Sequence, residues 1–177
     1  MKHVALLRGI NVSGQKIIKM ADLRSALEQV KEFEQVSTYI QSGNIVVESA
    51  LTDQRVGERI HDVILNVFGF EVPVLMTDYE HLITIQNQTP FPDSIKPYVI
   101  FLDRIPEPEH VSALDSVKER YEPETYVLHG NILYFHSPLG YGKAKMSTTF
   151  FEKKLKVLGT ARNWNTIQKL IDRSAPQ

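Results

Sequence analysis

Two glycine-bearing loops carry the residues best suited to hold an anion. The first, Gly9-Ile10-Asn11-Val12-Ser13-Gly14-Gln15-Lys16, follows Arg8 and a short apolar run. Strand, glycine loop and helix come in the order that phosphate cradles use. It is not a P-loop, because Gln15 follows Gly14, and Lys16 is followed by Ile17 rather than Ser or Thr. Backbone N–H groups in such a turn still offer donors, with Arg8 as the charged partner. The plainer account is a surface loop whose glycines only turn the chain. The second loop, Gly140-Tyr141-Gly142-Lys143-Ala144-Lys145, adds two lysines and a helix start expected near Ser147, so donors, charge and dipole coincide. Its plainer account is a flexible turn with solvated lysines. The expected ligand contacts are Arg8, Gly9, Asn11, Gly140, Gly142, Lys143, Lys145 and Arg162.

Arg162 belongs to a third segment, Arg162-Asn163-Trp164-Asn165-Thr166. Trp164 is expected to be mainly buried as a staple, and Asn165 to cap the following helix, which leaves Arg162 to meet an acid or a ligand. The six histidines show no metal-ligand spacing, and no Gly-x-Ser-x-Gly nucleophile elbow occurs. No metal site is expected, and no cofactor is identified. Tyr98, Phe101, Tyr134 and Phe135 resemble the aromatics of an RNA-recognition sheet, but that module's basic and glycine signature is missing.

The 177-residue chain has no cysteine, which removes disulfides and thiolate chemistry and fits a cytoplasmic protein. The apolar run before Arg8 is too short for a signal peptide's core, and no stretch is long enough for a membrane helix, so no membrane association is expected. Charge is balanced overall and uneven locally. Residues Gly140 to Arg173 carry eight basic and two acidic side chains, leaving twelve basic and nineteen acidic elsewhere. An acidic remainder repels a phosphate backbone except along one strip, so nucleic acid is an unlikely partner.

The elements that must position these loops follow from periodicity. A strand over His3 to Arg8 precedes a helix over Met20 to Glu32, with Leu23, Leu27 and Val30 on one face. Val36 to Ile40 and Ile45 to Val47 flank the turn Ser42-Gly43-Asn44. A second helix carries Val56, Ile60, Val63, Ile64, Val67 and Phe68 on one face and stops at Gly69, and Val72 to Met76, with its proline, suits an edge strand. Thr77 and Glu80 have capping-box spacing. After a proline-rich stretch the order repeats: strand Tyr98 to Leu102, a helix through Leu114, a hairpin around His129-Gly130-Asn131, a helix from Ser147 to Gly159 marked by Phe151, Leu155 and Leu158, and a strand over Thr160 to Arg162. The first hairpin, Thr38 to Ile45, aligns with Thr125 to Ile132 at a constant offset of 87 residues.

The expected fold is therefore α+β, with two tandem ferredoxin-like (β-α-β-β-α-β) halves from an internal duplication and a C-terminal helix. Residues 1–77 form the first half, 78–97 a short helix and connector, and 98–177 the second half with its last helix. On the expectation that the first and third strands of each half run parallel, Arg8 and the Ser42-Gly43-Asn44 turn stand roughly 20 Å apart. They would then share no small site, and the Gly-Asn pairs would be structural.

With Leu7-Arg8-Gly9-Ile10-Asn11-Val12, Thr38 to Asn44 and Thr160 to Thr166 set out, the chain resembles the bacterial domain-of-unknown-function family numbered 1697. The resemblance runs from first strand to last helix. The family pattern differs in having a glycine where Ser13 stands and a serine near Ala144. What it implies is a soluble α+β fold without an assigned activity. The residues themselves favour a binding or regulatory module for a small anionic, phosphorylated ligand. An enzyme acting on such a metabolite is the alternative, and weak RNA contact ranks last.

Overall fold

The computed structural model describes residues 1–176. In chain order the elements are β1 (Lys2–Leu7), α1 (Met20–Leu27), β2 (Glu34–Tyr39), β3 (Asn44–Glu48), α2 (Asp53–Phe68), β4 (Val74–Thr77) and α3 (Tyr79–Asn87). There follow β5 (Tyr98–Leu102), α4 (Pro108–Asp115), β6 (Thr125–His129), β7 (Ile132–His136), α5 (Thr148–Leu155), β8 (Gly159–Arg162) and α6 (Trp164–Ser174). The strands form two four-stranded antiparallel sheets, ordered β2-β3-β1-β4 and β6-β7-β5-β8. The chain is mixed α+β, and no described helix is long and apolar enough to cross a membrane. It divides into two compact units that do not follow the sequence halves. Met1–Thr84 groups with the residues from Lys169 onward, and Ile85–Gln168 forms the other.

In the first unit, Ala5, Leu7, Ile45 and Val47 of the sheet pack against Leu23 and Leu27 of α1 and Val56, Ile60 and Ile64 of α2. Helix α2 spans its predicted extent because both ends are capped. Thr52 accepts a hydrogen bond from the Arg55 N–H, and Gly69 adopts φ +73°. Helix α1 is shorter than the periodicity implied. Val30 and Phe33 reach the core through successive turns, with Val30 N–H on Leu27 O and Phe33 N–H on Val30 O. The second unit repeats the plan, with Ile100, Leu102, Leu133 and Phe135 over Leu114, Phe151 and Leu155.

Several local expectations are corrected. The strand parallel to β1 is β2, not β3. β3 inserts between them antiparallel, pairing Leu6 with Asn44. The Ser42-Gly43 turn therefore lies at the end of β1 that leads into Arg8, and the 20 Å separation does not exist. Helix α3 is capped by Asp78, whose carboxylate accepts from the His81 N–H at 2.8 Å, while Thr77 meets the His81 ring instead. Asn163, not Asn165, caps α6, accepting from the Thr166 N–H at 2.8 Å. Trp164 is then the first helical residue and only half-buried. Helix α5 ends at Lys156, with φ +53°, rather than at Gly159. Gly159 opens β8, where a Cβ would press Ile100 Cγ2 at 3.1 Å and Leu102 Cδ2 at 3.2 Å.

The hairpins hold equivalent places in the two sheets, but not in the alignment the sequence suggested. An offset of 87 sets Ile45 over Ile132, yet Ile45 faces the helical core and Leu133, not Ile132, does so in the second unit. The cause is turn length. Residues Ile40 to Gly43 join β2 to β3, whereas only Gly130 and Asn131 join β6 to β7. A slip of one residue moves every side chain to the other face, so the core pattern, not the shared letters, sets the true register.

The longer turn is seated by Gly43. Its carbonyl accepts the Leu7 N–H at 2.9 Å, its φ is +82°, and a Cβ there would stand 2.7 Å from Ile10 Cδ1 and 2.8 Å from Leu7 Cβ. Gly43→Ala is expected to cost roughly 2–4 kcal/mol, combining left-handed strain with overpacking. Gly130→Ala, at φ +59° with open space around it, should cost only about 1 kcal/mol. Urea denaturation of the two variants measures the difference, and equal losses would show that the close approach at Gly43 is immaterial.

Candidate functional site

The sequence-predicted residues fall into both units. Arg8, Gly9 and Asn11 lie in the first; Gly140, Gly142, Lys143, Lys145 and Arg162 lie in the second.

In the first unit, the connection from Arg8 to Lys19 is far longer than its counterpart, Asp103 to Glu107. Despite its length it is ordered from within. Asn11 Oδ1 accepts the Ile18 N–H at 2.8 Å, while its Nδ2 donates to Ile18 O at 3.0 Å and to Gln41 O at 2.8 Å. One amide thus closes the loop on itself and ties it to the β2–β3 turn. The Asn11 N–H donates to Lys16 O, the Gln15 N–H to Val12 O, and Lys16 Nζ to Glu71 O. Arg8 is half-buried and donates its own N–H to Pro73 O at 3.1 Å. Left-handed residues concentrate here: Gly9, Asn11, Ser13, Gly14 and Lys16 in the loop, Ile40 and Gly43 in the turn. Ile40, at φ +50°, is notable because a β-branched side chain rarely adopts that region. Such strain gathers where surrounding structure over-determines the backbone, often at binding sites.

In the second unit, Gly140 has φ +91° and begins a single 3₁₀ turn over Tyr141–Lys143. Tyr141 stacks on Tyr98 with ring centroids 4.1 Å apart, and its hydroxyl meets Thr148 Oγ1 at 2.5 Å. Burial pushes the Tyr141 hydroxyl's pKa up, and the Thr148 bond opposes that. The backbone donors beyond the turn already hold an anion of the chain itself. Glu124, 8% exposed, accepts the Lys145 N–H at 2.5 Å and the Met146 N–H at 3.3 Å through its two carboxylate oxygens. Ser147 caps α5 by accepting from the Phe150 N–H. The Lys143 and Lys145 side chains are exposed and form no hydrogen bond or ion pair among the described residues.

Arg162 does not share their setting. It is 4% exposed, with Nη1 donating to Thr160 Oγ1 at 2.7 Å and Ala161 O at 2.9 Å. Burial alone lowers its guanidinium pKa to about 10, so it remains charged at neutral pH. Paired with Val99, it faces the side of its sheet away from Tyr98 and Tyr141. Periodicity could not show that this strand buries its second face as well. Phe101, Ile132 and Tyr134 are also buried there, and burial raises the Tyr134 hydroxyl's pKa to about 12.

Sequence reasoning passed over a groove of about 540 Å³ in the first unit, lined by Gln54, Gly57, Glu58, His61, Asp62, Val74 and Met76. His61 bonds Glu71 at 2.9 Å, and this contact chiefly raises its pKa. His3 is buried with Nδ1 on Asp53 and Nε2 toward Ser49 O. Among the described residues, no three His, Asp or Glu side chains cluster so as to hold a metal ion.

Two four-stranded antiparallel sheets, each followed by helices, make this a mixed α+β protein. The model of the family described as "Protein of unknown function (DUF1697)" matches residues 1–134, and the chain belongs to that family. It is similar in fold to the conserved bacterial protein SP0830 from Streptococcus pneumoniae, with a TM-score of 0.68 and 23% sequence identity over 98% of each chain. No curated protein matches it.

Two substitutions measure the clamps. Asn11→Asp forfeits both donated bonds and sets a carboxylate against two carbonyls, at an expected cost of about 2–3 kcal/mol. Hydrogen exchange at the Ile18 amide should quicken with it, and an unchanged rate would mean the clamp does not order the loop. Glu124→Ala strands two backbone donors and should also cost about 2–3 kcal/mol in urea denaturation. A loss under about 0.5 kcal/mol would show that water replaces the carboxylate freely.

Proposed function

We propose that this protein is a binding module for a small anionic ligand, with Lys143 and Lys145 as its cationic contacts. The observation that carries the reading is the exposure of two unengaged ammonium groups on one loop that is itself fixed by Glu124 and Tyr141. A loop backbone that is ordered before binding lowers the ordering cost of binding. Because Glu124 occupies the Lys145 and Met146 N–H groups, the ligand is held by side-chain charge, not by those two donors. Gly140 supplies the φ of +91° that opens the turn, and open space surrounds both Gly140 and Gly142. In this reading Gly9 and Asn11 shape the first unit's loop around Arg8, and Arg162 supplies a fixed buried charge. Each unit is read as ferredoxin-like and the pair as a duplication, supported by the repeated strand order. The absence of cysteine supports a cytoplasmic setting.

Phosphate and sulfate titrations followed by thermal unfolding test the site. Saturating anion should raise the melting temperature of the parent, and high salt should weaken the effect, since screening at about 1 M acts within roughly 3 Å. The pair Lys143→Ala with Lys145→Ala should abolish the shift while leaving the anion-free melting temperature nearly unchanged. Equal stabilisation of parent and double variant would reduce the loop to a turn.

A further inference from the structure

Backbone register decides what β4 offers at the open edge of its sheet. β4 pairs with β1 alone, setting Leu7 opposite Val74, Leu6 opposite Leu75, Ala5 opposite Met76 and Val4 opposite Thr77. One step further along, the Arg8 N–H donates to Pro73 O at 3.1 Å. Hydrogen-bonded pairs alternate along an antiparallel ladder, so Leu75 and Thr77 turn their backbone toward β1, and Val74 and Met76 turn theirs outward. The Leu7 N–H fits this phase, since it points the other way, to Gly43 O. Among the described residues, no other group bonds the outward N–H or C=O of Val74 or Met76. The equivalent edge strand of the second unit, β8, is closed from within. Gly159 stands opposite Leu102 as Val74 does opposite Leu7, and its N–H donates to the buried Glu152 carboxylate at 3.0 Å. An edge left without such a cover is a template for another strand.

The open edge also has a groove beside it. Val74 and Met76 line the 540 Å³ groove together with Gly57, Glu58 and Asp62 of α2, and no lysine or arginine lines it. Glu58 is already met by Arg55. Asp62 is exposed and has no lysine or arginine partner among the described residues, its one contact being the His61 ring at 3.5 Å.

We propose that the β4 edge and its groove bind an extended segment of a partner protein, which joins the sheet as an added strand and brings a basic side chain to Asp62. In this mode main-chain bonds supply affinity, and alternate side chains of the added strand reach the groove and set specificity. A second copy of the chain suits the edge less well. Antiparallel pairing of β4 with its own copy would set two α2 helices, each with its Asp62 carboxylate, on the same side of the joined sheet. The site uses neither Lys143 nor Lys145, and it stands or falls apart from the anion reading.

Panning the full chain against a displayed library of random peptides supplies the probe. A synthetic copy of a selected peptide is then titrated by fluorescence anisotropy. Selected peptides should carry a lysine or arginine. Binding should slow hydrogen exchange at the Val74 and Met76 amides and leave Leu75 and Thr77, already bonded to β1, nearly unchanged. N-methylation of the peptide at alternate residues should weaken binding by about tenfold, and at the intervening residues hardly at all. Asp62→Lys, at an exposed position, should weaken it by about fivefold. Failure to enrich any peptide, exchange slowed equally along β4, or binding indifferent to either the methylation or Asp62→Lys would overturn the proposal. So would a chain that sediments as a dimer and protects the same two amides without any peptide.

Discussion

The contact on which the first unit depends is the hydrogen bond from the Leu7 N–H to Gly43 O, made where β1 ends and β3 begins. It is possible because Gly43 has no Cβ to meet Ile10 and Leu7. With that approach in place, the β2–β3 turn and the β1–α1 loop share one end of the sheet, and Asn11 can reach Gln41 O. The second unit has the corresponding bond, Leu102 N–H to Asn131 O, but a short turn and a short β5–α4 connection. One plan thus carries an elaborate loop pair in one unit and a plain one in the other.

The two loops singled out for anions are stabilised by opposite means. Around Asn11, a neutral amide satisfies a backbone donor and two backbone acceptors at once. Around Lys145, the Glu124 carboxylate closes the Lys145 and Met146 backbone donors. A charged clamp strengthens the turn more than a neutral one, and it also lowers the local positive potential that an incoming anion meets.

Element order was legible from periodicity and from the residues that stop helices. Val56, Ile60 and Ile64 of α2, Phe151 and Leu155 of α5, the edge position of β4 and the left-handed Gly69 stand where the sequence placed them, whereas Val67 and Leu158, expected on the same two faces, are exposed. Caps were less legible, because Thr77 and Asp78, or Asn163 and Asn165, offer similar side-chain acceptors and only the local backbone chooses between them. The relation of β1 to β3 was misread because a helical crossover makes β1 parallel to β2, while the neighbour it gains is the returning strand. Of the two candidate loops, the first was visible in Arg8 and Asn11. The carboxylate of Glu124 was not, since it lies far upstream of the loop it closes.

Both faces of the central strand β1 are closed: His3, Val4, Ala5, Leu6 and Leu7 are all buried, while β2 is half-exposed along most of its length. A half-buried strand can drift at every second position. A strand closed on both sides must change through substitutions that conserve volume on either face, or through paired changes in its neighbours. Substitution should accordingly be tolerated more readily along β2 than along β1.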